Sequence, residues 1–325
     1  MTSRPPATPD SSLSPDSTAS PTATTPEAAA ETGKTARLIE ILRAACPEEQ
    51  ALLDAFAPVL CLRETALAEE ARRRAAAPAD AASPAASAPA AKPGGKLPMD
   101  TACAARWAEP LLAALTQGFP AVAPLWERLR EAIRADAALP AYFCLARRGR
   151  KRPALSTWSK EHDLPVDAVN LLAEQLARLA GAAAQIGVPD REGPDAACPY
   201  CGGRAELCLI HETEGRRYLQ CGHCSRLWRA KRTSCPHCGA EGNAVLRHLF
   251  VDGKPDLRAV ICEACRHYIL EADLRPRDMP LELGHVLSLV MGHLDALAQQ
   301  DGAKPLSLAR PAARKAANAD EETVH

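Results

Sequence analysis

The stretch LQCGHCSRLWRAKRTSCPHCG, residues 219–239, holds two Cys-x-x-Cys pairs with ten residues between them. Whether those four thiols hold one ion together or belong to two centres decides the fold of the C-terminal half. Two further pairs lie outside the stretch, Cys198/Cys201 before it and Cys262/Cys265 after it. Soft thiolates suit a tetrahedral ion such as zinc or iron, and two intervening residues let one tight turn present both sulfurs to it. One turn supplies two ligands, so four turns predict two four-cysteine sites.

Sequential, cross-braced and nested pairings of the turns are all possible, and the sequence favours the sequential one. CPYCGG (198–203) and CPHCGA (235–240) both carry Pro after the first Cys and Gly after the second, where a turn often requires φ > 0. CGHCS and CEACR lack both features. The turn types therefore alternate, as two copies of one unit would. Between the turns, AELCLIHETEGRRYLQ reads as strand, turn at Glu214-Gly215, strand, and NAVLRHLFVDGKPDLRAVI has the same form with its turn at Asp252-Gly253. The first site is then Cys198, Cys201, Cys221 and Cys224, with 19 residues between its pairs. The second is Cys235, Cys238, Cys262 and Cys265, with 23 between. SRLWRAKRTS becomes the connector between two ribbons.

A unit of about 35 residues cannot bury an adequate core. Metal bound through four thiolates contributes on the order of 10–16 kcal/mol, enough to fold such a unit. Four protein ligands also leave no open coordination position, which argues against hydrolytic metal catalysis. His223, His237 and His267 lie in or beside the turns, but eight cysteines already suffice as ligands. Zinc and iron remain equally compatible with these ligands.

The 325-residue chain is 47% hydrophobic but only 4% aromatic, so Ala and Leu carry its apolar content, as in helices with modest cores. A formal charge of −1 excludes a generally basic nucleic-acid binder. No uncharged apolar run is long enough to span a membrane. The N-terminus lacks the apolar segment of a secretory signal, so a cytoplasmic location is expected. Thirteen cysteines there point to metal or redox use rather than structural disulfides. Cys46, Cys61, Cys103 and Cys144 read as small buried hydrophobes, and Cys208 as a strand-packed thiol.

Along the chain, residues 1–33 are rich in Pro, Ser, Thr and Ala and are expected to be disordered. Residues 34–76 are helical, 77–98 form an Ala/Pro linker, and 99–187 form a helical domain interrupted by the basic loop RRGRKRP (147–153). The ribbons occupy 198–233 and 234–271. A C-terminal helix over 276–302 carries Leu283, Val286, Leu287, Val290, Met291, Leu294 and Leu297, and 303–325 is a loose tail. The fold class is therefore α+β and multidomain: mostly helical at the N-terminus, then two tandem rubredoxin-like or zinc-ribbon modules and a helix.

Nucleic-acid binding by a zinc ribbon is the obvious competitor. Residues 198–270 carry eleven Lys/Arg against seven Asp/Glu, and two divalent ions with eight thiolates cancel that excess of four. Binding through phosphate neutralisation needs unopposed cations. Only Arg226, Arg229, Lys231 and Arg232, around Trp228, form a local cluster. A rubredoxin-like iron redox protein is the other alternative.

The helical N-terminal half, CPYCGG, RRYLQCGHCSRLWRAKRTSCPHCG, CEACRHYI and the helix around LGHVLSLVMGHLDALA together resemble the formate dehydrogenase accessory protein FdhE family. The resemblance is specific over about 198–300 and looser over 34–186. It implies a cytoplasmic, non-catalytic protein that acts on the catalytic subunit of a molybdenum- or tungsten-dependent formate dehydrogenase during maturation. It also implies metal binding through the Cys-x-x-Cys pairs, all of which are present here. No small-molecule substrate, membrane or nucleic acid is expected as a partner. The ribbons would shape a docking surface, with Tyr218, Trp228 and Arg229 expected to form part of it.

Overall fold

Helix α1 (Lys34–Ala45) begins against its neighbour α2 (Gln50–Ala76). The Glu64 carboxylate of α2 accepts from the backbone N–H groups of Gly33, Lys34 and Thr35 at 3.2, 3.1 and 3.0 Å. It thereby satisfies the donors that a helix start leaves over and places a negative charge at the positive end of the dipole. The computed structural model describes residues 33–77, 99–146, 153–188, 191–193, 196–242, 244–277 and 279–309. Nearly all of the expected disordered N-terminus, most of the 77–98 linker, the basic loop up to Pro153 and the end of the tail lie outside the described residues.

Five more helices follow: α3 (Thr101–Gly118), α4 (Ala123–Ala135), α5 (Leu139–Ala146), α6 (Pro153–Glu161) and α7 (Val166–Gln185). Asp100 caps α3 by accepting from the Cys103 N–H at 2.9 Å. Glu70 of α2, 1% exposed, accepts from the Arg106 guanidinium and from Trp107 Nε1. That knot holds α2 against α3, so the stretches on either side of the linker form one helical layer. In α7, Val169, Leu172, Ala173, Leu176, Ala177, Ala180, Ala183 and Ala184 are buried. The helical spacing makes one apolar face, and the small alanines let the helix approach its neighbours closely.

The cysteine-rich half folds as β1 (Ala205–His211), β2 (Arg216–Cys221), β3 (Leu227–Ala230), β4 (Leu246–Phe250), β5 (Leu257–Cys262) and β6 (His267–Asp273). The hairpins β1–β2 and β4–β5 turn where the sequence predicts. Each unit also has a third strand, β3 or β6, that follows its second cysteine turn. The strand order β3-β2-β1-β6-β5-β4 joins the two units through a parallel pairing of β1 with β6. The modules expected at 198–233 and 234–271 are thus not separate: they share one sheet. The connector read between them contains β3.

Both faces of the sheet are covered. Cys208, Ile210, Leu219, Val260 and Ile269 face a core built with Trp126, Leu172 and the other central helical residues. Leu207, Leu209, Tyr218, Ala259 and Ile261 face the opposite way, towards Leu38, Leu53, Leu60, Val286 and Leu294. The alternation follows the two-residue period of a strand.

The single helix expected over 276–302 is replaced by a ten-residue 3₁₀ segment, Leu281–Val290, which bends by 64° into α8 (Gly292–Gln300). Gly284 marks the close approach, since a Cβ there would meet Leu209 Cδ1 at 2.4 Å. The apolar spacing is the same, but contact with β1 sets the path. Residues 303–309 are likewise folded rather than loose: β7 (Lys304–Pro305) pairs with His267 and Tyr268, and Leu306 is buried. No single helix among the described residues is long and apolar enough to cross a membrane.

Candidate metal centres

Each unit brings its two cysteine turns together at one end of its strands. The first turn precedes the unit's first strand, and the second links its second and third strands. Cys198 N–H donates to the Gly203 carbonyl at 2.7 Å, and Cys235 N–H to that of Ala240 at 2.9 Å. Gly202 and Gly239 have φ of 74° and 77°, the left-handed conformation that their position in the motif predicts. In the second turns Ser225 N–H donates to Cys221 O at 2.9 Å and Arg266 N–H to Cys262 O at 2.8 Å.

The sulfurs converge as the sequential pairing requires. In the first centre Cys198 and Cys224 are 3.7 Å apart at Sγ, and Cys201 and Cys221 are 3.5 Å apart. In the second, Cys235 and Cys265 are 3.8 Å apart, and Cys238 and Cys262 are 3.7 Å apart. Within each centre all four sulfurs lie within 4.8 Å of one another. A metal–sulfur bond of about 2.3 Å gives a tetrahedron with edges of about 3.8 Å. Disulfides would need about 2.05 Å. Backbone N–H groups point at the sulfurs too: Gly203 at Cys201 (3.3 Å), His223 at Cys221 (3.4 Å) and His237 at Cys235 (3.4 Å).

Electrostatics fit an ion as well. In the first centre burial pushes the Cys221 and Cys224 thiols up, while hydrogen bonding, chiefly with Cys198, holds Cys201 down. In the second, Cys235 is held down to about 4, chiefly by its hydrogen bond with Cys265. Metal binding to such thiols releases their protons. Beside the first centre Arg226 is 1% exposed, donates from Nε to the Gly181 carbonyl at 2.8 Å, and leaves both Nη groups without a hydrogen-bond partner. Its guanidinium carbon lies 5.1 Å from the Tyr200 ring centroid. A buried cation is costly unless opposed, and a divalent ion with four thiolates carries the −2 charge that opposes it. The two centres could thus each hold one metal ion.

The aromatic docking residues need correction. Trp228 is 1% and Tyr218 8% exposed, so neither offers a contact surface. Residues 191–193 run along the outer edge of β3, bridging Glu192 to Arg229, and a Cβ on Gly193 would lie 3.1 Å from Trp228 Cδ1. The Tyr218 hydroxyl donates to Glu212. Of the three, Arg229 reaches the surface, 41% exposed and paired with Glu192 at 3.0 Å. The basic cluster around Trp228 is dispersed: Arg226 is buried, and Lys231 pairs with Glu241 at 2.6 Å.

Sequence reasoning missed a buried polar knot between the units. Cys208 Sγ donates to Glu271 Oε2 at 2.9 Å and accepts from Arg217 Nε at 3.1 Å, while Arg258 Nε donates to Glu271 Oε1 at 2.6 Å. Arg217 and Arg258 occupy the same position in the two copies, each four residues before the cysteine that ends its strand. That repetition is the only trace in the sequence. Cys46, Cys103 and Cys144 are buried as expected, and Cys61 is partly exposed.

No family model matches the chain. Over 119 residues the chain is 30% identical to "Protein FdhE homolog" of Rhizobium meliloti (strain 1021). That match takes in 33% of this chain, which spans 38% of the relative's length. In fold it is similar to the FdhE protein from Pseudomonas aeruginosa, whose crystal structure it matches with a TM-score of 0.56 at 22% identity. The superposition covers 87% of this chain and 95% of that one. The sequence match bears out the FdhE resemblance drawn from the cysteine motifs, and the crystal structure shows that the fold is shared. That likeness in fold, together with this chain's own two four-cysteine clusters, bears out the expected fold class, a helical region followed by a sheet region and a terminal helix.

Proposed function

We propose that this protein is an FdhE-family accessory protein that recognises the catalytic subunit of formate dehydrogenase during its maturation, in the cytoplasm and without catalysing a reaction itself. The observation that carries the reading is the pair of four-cysteine centres built into one sheet beneath an FdhE-like helical layer. Four thiolates per centre complete a tetrahedral shell and leave no position for a substrate. Their ions then stabilise a surface, and Arg229 with its neighbours on the β3 edge is the part of that surface that survives from the expected docking site. Dispersal of the basic cluster weighs against nucleic acid as the partner.

The test is affinity purification of tagged protein from its native bacterium, beside a Cys221→Ser/Cys224→Ser control. Recovery of a formate dehydrogenase catalytic subunit, lost in the control, is the expected result. Recovery of nucleic acid or ribosomal material without that subunit would overturn the proposal. Arg229→Glu is expected to weaken capture while leaving the metal content intact. A visible spectrum of the iron type, from protein purified without oxygen, would instead favour the rubredoxin-like redox reading.

A further inference from the structure

The two centres are copies of one design, but they differ at equivalent positions. The first is sealed: Cys198, Cys201, Cys221 and Cys224 are exposed by 3, 4, 0 and 0%. Helix α7 lies directly on it, and a Cβ at Gly203 would stand 2.9 Å from Cys221 Sγ. At the second centre Cys238 and Cys265 are partly exposed, Gly239 has nothing within 4 Å of where its Cβ would be, and Ala240 carries a Cβ where the first centre needs Gly203.

The flanking side chains differ in the same sense. Between the cysteines of the first turn, Tyr200 in one copy becomes His237 in the other. Two residues after the last cysteine, Arg226 becomes His267. Tyr200 and Arg226 make a buried cation–π pair and offer no imidazole. His237 and His267 are in ring contact with centroids 4.3 Å apart. His267 Nδ1 lies 2.9 Å from the Cys265 carbonyl, so it carries the proton and leaves the Nε2 lone pair for an incoming ion.

We infer that the second centre is an exchangeable metal site, from which a divalent soft ion passes to a thiol-bearing acceptor with His237 and His267 as transient ligands, while the first centre keeps its ion permanently. A leaving thiolate is replaced by an imidazole, so the ion never loses its shell at once. The ion keeps its oxidation state, and each vacated cysteine takes up a proton as an acceptor thiol releases one. The inference rests on both centres holding ions and is independent of the partner proposed above.

The test uses the zinc-loaded full-length protein alone, mixed with excess dimercaptosuccinate and followed by native mass spectrometry and iodoacetamide mapping. One ion is expected to leave well before the other, with alkylation at Cys235, Cys238, Cys262 and Cys265 and protection of the first four ligands. A His237→Phe/His267→Phe variant is expected to retain both ions and to release the second centre's ion roughly ten-fold more slowly, the scale on which outer-shell changes act. Simultaneous loss of both ions, or earlier alkylation of Cys198 and its partners, would overturn the inference. A double variant that releases as fast as the parent, or that cannot hold the second ion, would remove the histidines' part in it.

Discussion

Gly181 on α7 lies against Cys224 so closely that a Cβ at position 181 would stand 2.4 Å from the Cys224 Cβ. The helical layer is thereby fastened to the first metal centre by backbone contact, and Arg226 adds its bond to the Gly181 carbonyl.

Replacing Gly by Ala inside a helix ordinarily stabilises it by about 1 kcal/mol. At position 181 the sign reverses. Gly181→Ala is expected to destabilise by about 1–3 kcal/mol, the range for overpacking a tight contact. Denaturant unfolding with a metal count checks this, and a stabilised Gly181→Ala protein would show that α7 does not press on the centre.

Glu271 pairs with both Arg217 and Arg258, at 3.9 and 2.5 Å. Burial pushes its carboxyl up, but the two guanidinium groups outweigh that and hold it below its ordinary value of 4.5. A folded value below the unfolded one contributes stability that is present above about pH 4.5 and lost as pH falls below it. Glu271→Gln is expected to cost about 3–5 kcal/mol at neutral pH by leaving buried arginine unopposed. The gap between parent and variant is expected to close on acidification, which separates this effect from ligand protonation common to both.

Glu70 makes the equivalent tie in the helical layer. Glu70→Ala is expected to lose about 1–3 kcal/mol, since Arg106 and Trp107 both lose their acceptor. Hydrogen exchange checks the location: protection is expected to fall in α2 and α3 and to hold in β5 and β6.

Removing ligands is expected to have unequal consequences. Cys221→Ser/Cys224→Ser opens the sealed centre beneath α7, so far-UV circular dichroism is expected to report loss of sheet structure in both units. Cys238→Ser/Cys265→Ser is expected to disturb the second unit alone.

The grouping of eight cysteines into two clusters of four is legible in the sequence because it is written locally, in the spacing of each turn and in the alternation of turn types. Both hairpins were legible for the same reason. The β1–β6 pairing was not: it joins Leu207 to Leu270 across the two units and leaves no periodic mark. Nor does an aromatic residue declare its exposure. Trp228 looked like a docking residue because basic side chains surround it in sequence, yet residues 191–193 cover it. The bend after Val290 is hidden in the sequence because 3₁₀ and α segments both bury residues three apart.

The decisive measurement is X-ray absorption at the metal edge, with a metal count, on chain loaded with zinc and freed of unbound ion. The account predicts two ions per chain, each with four sulfur neighbours at about 2.3 Å and no light-atom ligand. A single ion per chain, or nitrogen or oxygen in the resting shell of either centre, would contradict it.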